Sequence, residues 1–138
     1  MADKAPSRQT LSALSRYTTV TRQVFDGRDL TSLQAMHLRF ERCSFSGADF
    51  RHATLDGCSF LLCDLRGADL RGASLRGVSW AGCDLRDADL RDADLTSGRF
   101  GLVNTGAPPH GLTDVTGAKF DDAITRDLQI DQVIGWAR

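Results

Sequence analysis

The sequence predicts an all-β fold: a four-sided solenoid of about five coils, each 20 residues long, with its centre filled by side chains. Three observations predict it. From Cys63 to Leu95 the chain reads CDLRG ADLRG ASLRG VSWAG CDLRD ADLRD ADL, so a small residue is followed two places later by a large apolar one. Large residues of one kind recur every twenty positions, as in the aromatic set Phe40, Phe60, Trp80, Phe100 and Phe120. Glycine recurs at the second residue of the connecting pair, as at Gly47, Gly67, Gly72 and Gly77.

The spacing excludes the simpler folds. Five residues advance an α-helix by about 500°, which walks the leucines around the cylinder. A plain strand alternates its faces and would flip them at every step. The apolar spacing is really two, then three. Ala68 and Leu70 share one side of a short extended segment, with Asp69 outward, and Arg71-Gly72 turns the corner. Glycine suits that corner because a type II turn needs φ > 0.

Twenty-residue columns then define four walls. Besides the aromatic column there are Phe25, Phe45, Leu65, Leu85 and Thr105, with Cys43, Cys63 and Cys83 as small partners. A third column is Leu30, Phe50, Leu70 and Leu90, and a fourth is Ala35, Leu55, Leu75, Leu95 and Val115. Residues twenty apart stack about 4.8 Å above one another.

Taken in order, residues 1–22 form an N-terminal tail and cap, with Leu11, Leu14 and Tyr17 on one side of a covering segment at 9–17. A solenoid end exposes core and unpaired backbone, so something must cover it. Residues 23–122 form the repeat body, whose first coil is degenerate, as terminal repeats often are. Pro108-Pro109 cannot donate to a ladder, so a loop at 107–111 replaces one side. Because Phe100 and Phe120 are twenty apart, the phase is expected to survive it. Residues 123–138 close the far end, either as a degenerate last coil or as a short helix N-capped by Thr125 and stopped at Gly135. The capping helix is preferred, since Ile130, Val133, Ile134 and Ala137 follow helical spacing and Trp136 falls one place off the beat.

The runs ADLRG, ASLRG and ADLRD resemble the pentapeptide-repeat family, whose pattern is A(D/N)LXX. The match is close over residues 25–95 and looser as far as Phe120. The resemblance implies a right-handed quadrilateral β-helix. Some members protect DNA gyrase from quinolones or peptide toxins and resemble duplex DNA in size and charge.

Composition narrows the function classes. Net charge is −1, distributed as +3 over 1–42, −3 over 43–97 and −1 over 98–138. That balance favours neither a nucleic-acid binder nor an acidic partner. No run of 18 apolar residues spans a membrane, and MADKAPSRQT lacks a secretory layout. Cys43, Cys58, Cys63 and Cys83 fit no metal spacing and serve as small inward fillers, which suits a reducing cytoplasm.

Chemistry is sparse. His37, His52 and His110 fall on turns or the proline loop, and no nucleophile, phosphate or metal motif is present, so no catalytic residue, cofactor or metal is expected. The densest acidic spot is Asp84, Asp87, Asp89, Asp92 and Asp94, diluted by Arg86 and Arg91. A DNA mimic would need such charge uncompensated. Leu61, Leu62 and Leu102 break the polar rule at the corners of the aromatic side, and with Trp136 they are the candidate interface. The N-terminal segment or the proline loop could equally cover those leucines. The expected function is a non-enzymatic protein-binding scaffold, with a homodimer through the leucines or Trp136 and DNA gyrase as the alternative partner.

Overall fold

The computed structural model describes residues 6–103 and 111–136. Its elements are helix α1 (Arg8–Ser12) and strands β1 (Thr19–Thr21), β2 (Arg39–Glu41), β3 (Ser59–Leu61), β4 (Ser79–Ala81), β5 (Arg99–Val103), β6 (Gly111–Leu112) and β7 (Gln129–Ile130). Strands β1 to β5 pair in parallel in chain order, Val20 beside Phe40, then Phe60, Trp80 and Phe100. Each step is one coil of twenty residues.

The other three walls are too short for strands and are held by single parallel pairings. Ser44, Asp64 and Asp84 mark the cysteine wall, Asp49, Asp69 and Asp89 the aspartate wall, and Thr54, Ser74 and Asp94 the threonine wall. Corners recur every five residues with φ near +60°, at Gly47, His52, Gly57, Leu62, Gly67 and Gly72 among others. The geometry belongs to the corner, so histidine, leucine and aspartate accept a strained backbone where glycine would not be strained.

The centre is apolar and closely stacked. Phe40, Phe60 and Trp80 lie at ring separations of 5.1 and 4.7 Å, with Phe100 6.0 Å beyond. Leucine, alanine and cysteine ladders fill the rest and are almost wholly buried. Burial of this kind, more than any one hydrogen bond, is the driving force for the coil.

Three expectations are corrected. First, the phase does not survive the proline segment. Phe100 pairs with Ile130, thirty residues on, and Asp84 pairs with Asp114. Ten residues are therefore added rather than substituted: the chain re-enters on the cysteine wall, which follows the aromatic wall in every coil, and each later residue lies two walls from where an unbroken count puts it. Phe120 extends the Leu90 column, since the Leu90 amide donates to Lys119 O at 2.8 Å. Val115 likewise joins Leu85 rather than Leu95, the Leu85 amide donating to Asp114 O. Part of the addition is an antiparallel hairpin of β5 and β6, Leu102 opposite Leu112. The expected loop at 107–111 lies outside the described residues except for Gly111, as do Thr105 and His110.

Second, residues 123–136 are a coil and not a helix. Ile124 pairs with Asp94, β7 with β5, and Ile134 with Asp114. A short helix leaves its own ends unsatisfied, whereas a coil finds partners ready on the one before. Third, Tyr17 is 69% exposed rather than covering the end. It packs against the His37 ring at 5.9 Å. The solenoid also begins inside the expected cap, because β1 is already in register.

The cap itself is α1. Ser7 caps its N-terminus by accepting the Thr10 amide, and Leu11 is buried on the first coil with Leu14 packed beside it. Arg8 Nη1 donates to Thr31 O at 2.8 Å, and Arg28 Nη1 to Pro6 O at 3.2 Å.

Candidate functional site

Two outer walls carry ladders of opposite charge. In each repeat the arginine reaches back two residues to grip its own aspartate. Arg51 holds Asp49, Arg66 holds Asp64, Arg71 holds Asp69, Arg86 holds Asp84 and Arg91 holds Asp89, all at 2.7 to 2.8 Å. The same guanidinium lies 3.8 to 3.9 Å from the aspartate one coil on, as Arg51 to Asp69 and Arg66 to Asp84. At the N-terminal end Arg8 takes that place beside Asp29, at 3.6 Å. Hydrogen bonds from these arginines hold the Asp49, Asp64, Asp69 and Asp89 carboxyls below the usual aspartate range. At Asp84 burial pushes upward, and the Arg86 bonds outweigh it.

The five expected acidic residues do not form one patch. Asp84, Asp89 and Asp94 sit on three different walls, and Asp87 and Asp92 occupy the corners between them. Asp84 and Asp89 are paired with arginine, and Asp94 accepts from the Thr96 amide at 3.0 Å. Asp84, Asp89 and Asp94 thus each have an arginine beside them.

The four candidate interface residues are not brought together either. Leu61 lies on the outer face of β3 between Glu41 and Ala81, and Leu62 is the half-buried corner beyond it. Leu62, Val103 and the Gly111 carbonyl converge on Gly82, so the base of the β5–β6 hairpin stands beside Leu62. The hairpin side, rather than α1, provides the partial cover. Leu102 faces Leu112 within that hairpin. Trp136 is elsewhere, half-buried at the C-terminal end, 5.1 Å from Phe120 and 6.2 Å from Phe100.

That end carries a group of apolar side chains left outside the core. Phe120, Leu128, Ile130, Val133 and Trp136 pack on the core but are only partly buried. Ile124 and Ile134 point outward and are 47% and 45% exposed. A cleft of about 440 Å³ opens among Val115, Ala118, Phe120, Gly135 and Trp136. Sequence reasoning missed the two isoleucines. The available signal was their place in the outward slot, where other repeats carry Asp, Ser or Thr. Reading 123–138 as a helix hid it. At the opposite end Val24 breaks the same rule and is 62% exposed.

The buried polar groups are structural. Cys43, Cys63 and Cys83 donate to carbonyls at Val20, Phe40 and Phe60, and Cys58 to Ala35 O at 2.8 Å. Burial pushes the Cys58 thiol up to about 11. Where the next cysteine would fall stands Thr113. Its hydroxyl accepts from the Cys83 amide and lies 2.7 Å from Gly101 O and 3.0 Å from Trp80 O. Among the described residues no cluster of His, Cys, Asp and Glu could hold a metal, and no helix is long and apolar enough to cross a membrane.

Comparison with known proteins adds the following. A family model described as a pentapeptide repeat region matches residues 34–107. No curated protein matches the chain in sequence. Among solved structures, the pentapeptide repeat protein Rfr23 from the cyanobacterium Cyanothece 51142 is similar at a TM-score of 0.65 and 15% identity, over 88% of this chain and 86% of that one. A pentapeptide repeat protein from the Arabidopsis thaliana thylakoid lumen gives 0.40 and 26%, over 90% and 77%. A trypsin-treated form of QnrB1, a plasmid-mediated fluoroquinolone resistance protein, gives 0.42 and 23%, over 76% and 56%. The likeness to Rfr23 supports the fold alone.

Proposed function

The chain belongs to the pentapeptide-repeat family, and from that premise we propose that it is a non-enzymatic scaffold that binds protein through the C-terminal end of its solenoid. The observation that carries this reading is the apolar set there: outward Ile124 and Ile134 around half-buried Phe120, Ile130 and Trp136. Exposed apolar side chains grouped at one end favour an interface there, while the cysteine and aspartate walls carry self-paired charges. A second copy is the partner, and the buried thiols suit a reducing compartment, which we assign as the cytoplasm.

Light scattering across a concentration series tests it. The expected mass rises from one copy of 15.0 kDa with concentration, and Ile124→Asp holds it at one copy. A mass fixed at one copy in both the wild type and Leu11→Asp, or an equal rise in the Ile124→Asp variant, refutes the surface. If Leu61→Asp rather than Ile124→Asp abolishes the rise, the corner leucines are the contact.

Protection of DNA gyrase is the second reading and rests on family membership. The paired aspartates count against it, because a mimic of the nucleic-acid backbone needs uncompensated charge. A supercoiling assay with quinolone decides it: no rescue at high protein concentration ends the reading.

A further inference from the structure

The two ends of the rod match in register. Within the solenoid each residue stacks on the one twenty places later, as Val24 on Ser44 and Asp29 on Asp49. The added ten residues leave the path of the coil unchanged and shift the numbering by two walls, so that residue n + 100 lies two walls from residue n. A second copy set end to end, rotated by those two walls, therefore continues the path with residue n of one copy stacked on residue n + 100 of the other. That register brings Val24, 62% exposed, onto Ile124, 47% exposed. It brings Met36, 47% exposed, onto Trp136, and Leu30 and Val20 onto Ile130 and Phe120. Opposite charges also meet, Arg22 on Asp122 and Asp26 on Arg126. Apolar and charged pairs agree on one offset.

Helix α1 stands in the way. In the regular coil a corner amide donates to the carbonyl of the next coil's first corner residue, as His52 N to Arg71 O at 3.1 Å. Thr31 O is the same position on the first coil, and it is Arg8 Nη1 that donates to it. Arg8 also fills the place of the preceding arginine beside Asp29. In the n + 100 register the donor to Thr31 O is the corner amide of Gln132 from the other copy. Helix α1 thus occupies the space of a half-coil, with one side chain, Leu11, buried beneath it.

We propose that the chain assembles head to tail with further copies of itself in this register, and that α1 is a displaceable plug which holds the assembly back. The inference rests on the scaffold reading and deepens it by naming the partner surface. Such a contact is heterologous and does not close, so it grows beyond two copies.

The test uses full-length chain carrying Thr19→Cys and Lys119→Cys, two exposed positions that stack about 4.8 Å apart only between copies. With Leu11→Asp to release α1, mild oxidation is expected to give a ladder of two, three and more copies on a non-reducing gel. With α1 intact the ladder is weak, and with Gln129→Cys in place of Lys119→Cys it is absent. Arg8→Ala, which keeps Leu11 buried, gives an intermediate ladder. Asp122→Arg lowers the yield about tenfold, and adding Arg22→Asp restores it. No ladder in either α1 variant, an equal ladder through Gln129→Cys, or growth that stops at two copies overturns the proposal. If mass still rises by light scattering without the 19–119 cross-link, the register fails while the scaffold reading stands. Mass fixed at one copy in every background removes both.

Discussion

The His37 ring lies over Gly57, one coil further on, so closely that a methyl group on Gly57 would collide with it. His52 covers Gly72 in the same way, and Leu62 covers Gly82. Corner glycines therefore answer two demands, a backbone at φ near +70° and the space under a bulky neighbour. Gly27 answers only the first, since nothing lies within 4 Å of its missing side chain.

Substitution separates the two. Gly27→Ala is expected to lose about 1 kcal/mol from the φ constraint, and Gly57→Ala about 1 to 3 kcal/mol more from the collision. His37→Ala should remove only the second loss. Urea melts of these three variants and of the Gly57→Ala/His37→Ala pair measure it, and equal losses at the two glycines would contradict the collision.

Among the described residues Thr113 is the one buried polar residue, placed where the added residues interrupt the ladder. Thr113→Val leaves the Cys83 amide and the Trp80 and Gly101 carbonyls short of a partner. A loss of about 1 to 3 kcal/mol follows. Thr113→Cys should lose less, because the thiols above it already reach backbone carbonyls. Thermal unfolding decides, and a Val variant as stable as wild type contradicts the role.

The four thiols are buried and their carbonyl bonds hold them as thiols. A disulfide reagent at pH 8 should react with none of them in the native protein and with all of them in denaturant. Fast reaction of any one in buffer would show that its coil opens.

Acid sensitivity follows from the aspartate walls. The Asp49, Asp64, Asp69 and Asp89 carboxyls are depressed in the fold by hydrogen bonds from arginine. Their contribution is present above the unfolded value of about 3.9 and is lost as pH falls through the folded values. Melting temperature should be level from pH 8 to 5 and fall below about pH 4. Asp69→Asn should shrink that fall, and an unchanged slope would show the pairs to be inert.

Most of the fold was legible because the inward beat is a local rule repeated many times. Cys63 to Leu95 alone requires four walls, and Phe60, Trp80 and Phe100 stack where the spacing puts them. What misled was coincidence of number. Phe100 and Phe120 are twenty apart, yet an insertion of two repeat lengths leaves the beat intact and changes the wall. Helical spacing in Ile130, Val133, Ile134 and Ala137 was a second coincidence. A backbone edge waiting on the coil before outweighs it, and sequence does not display that edge. The end surface was hidden by the same error, since Ile124 and Ile134 become outward only once the last segment is a coil. Pairing of each arginine with the aspartate two places before it was visible in spacing, but its bidentate geometry was not.

Every surface assigned at the C-terminal end depends on the two-wall shift in numbering that the insertion causes. Two cysteine pairs test it within one chain: Arg99→Cys with Gln129→Cys, which are cross-strand partners, and Arg99→Cys with Lys119→Cys, which an unbroken phase would place side by side. Oxidation at low concentration, with mass analysis of the digested monomer, should close the 99–129 disulfide and leave 99–119 open. A disulfide at 99–119 with none at 99–129 would contradict the account.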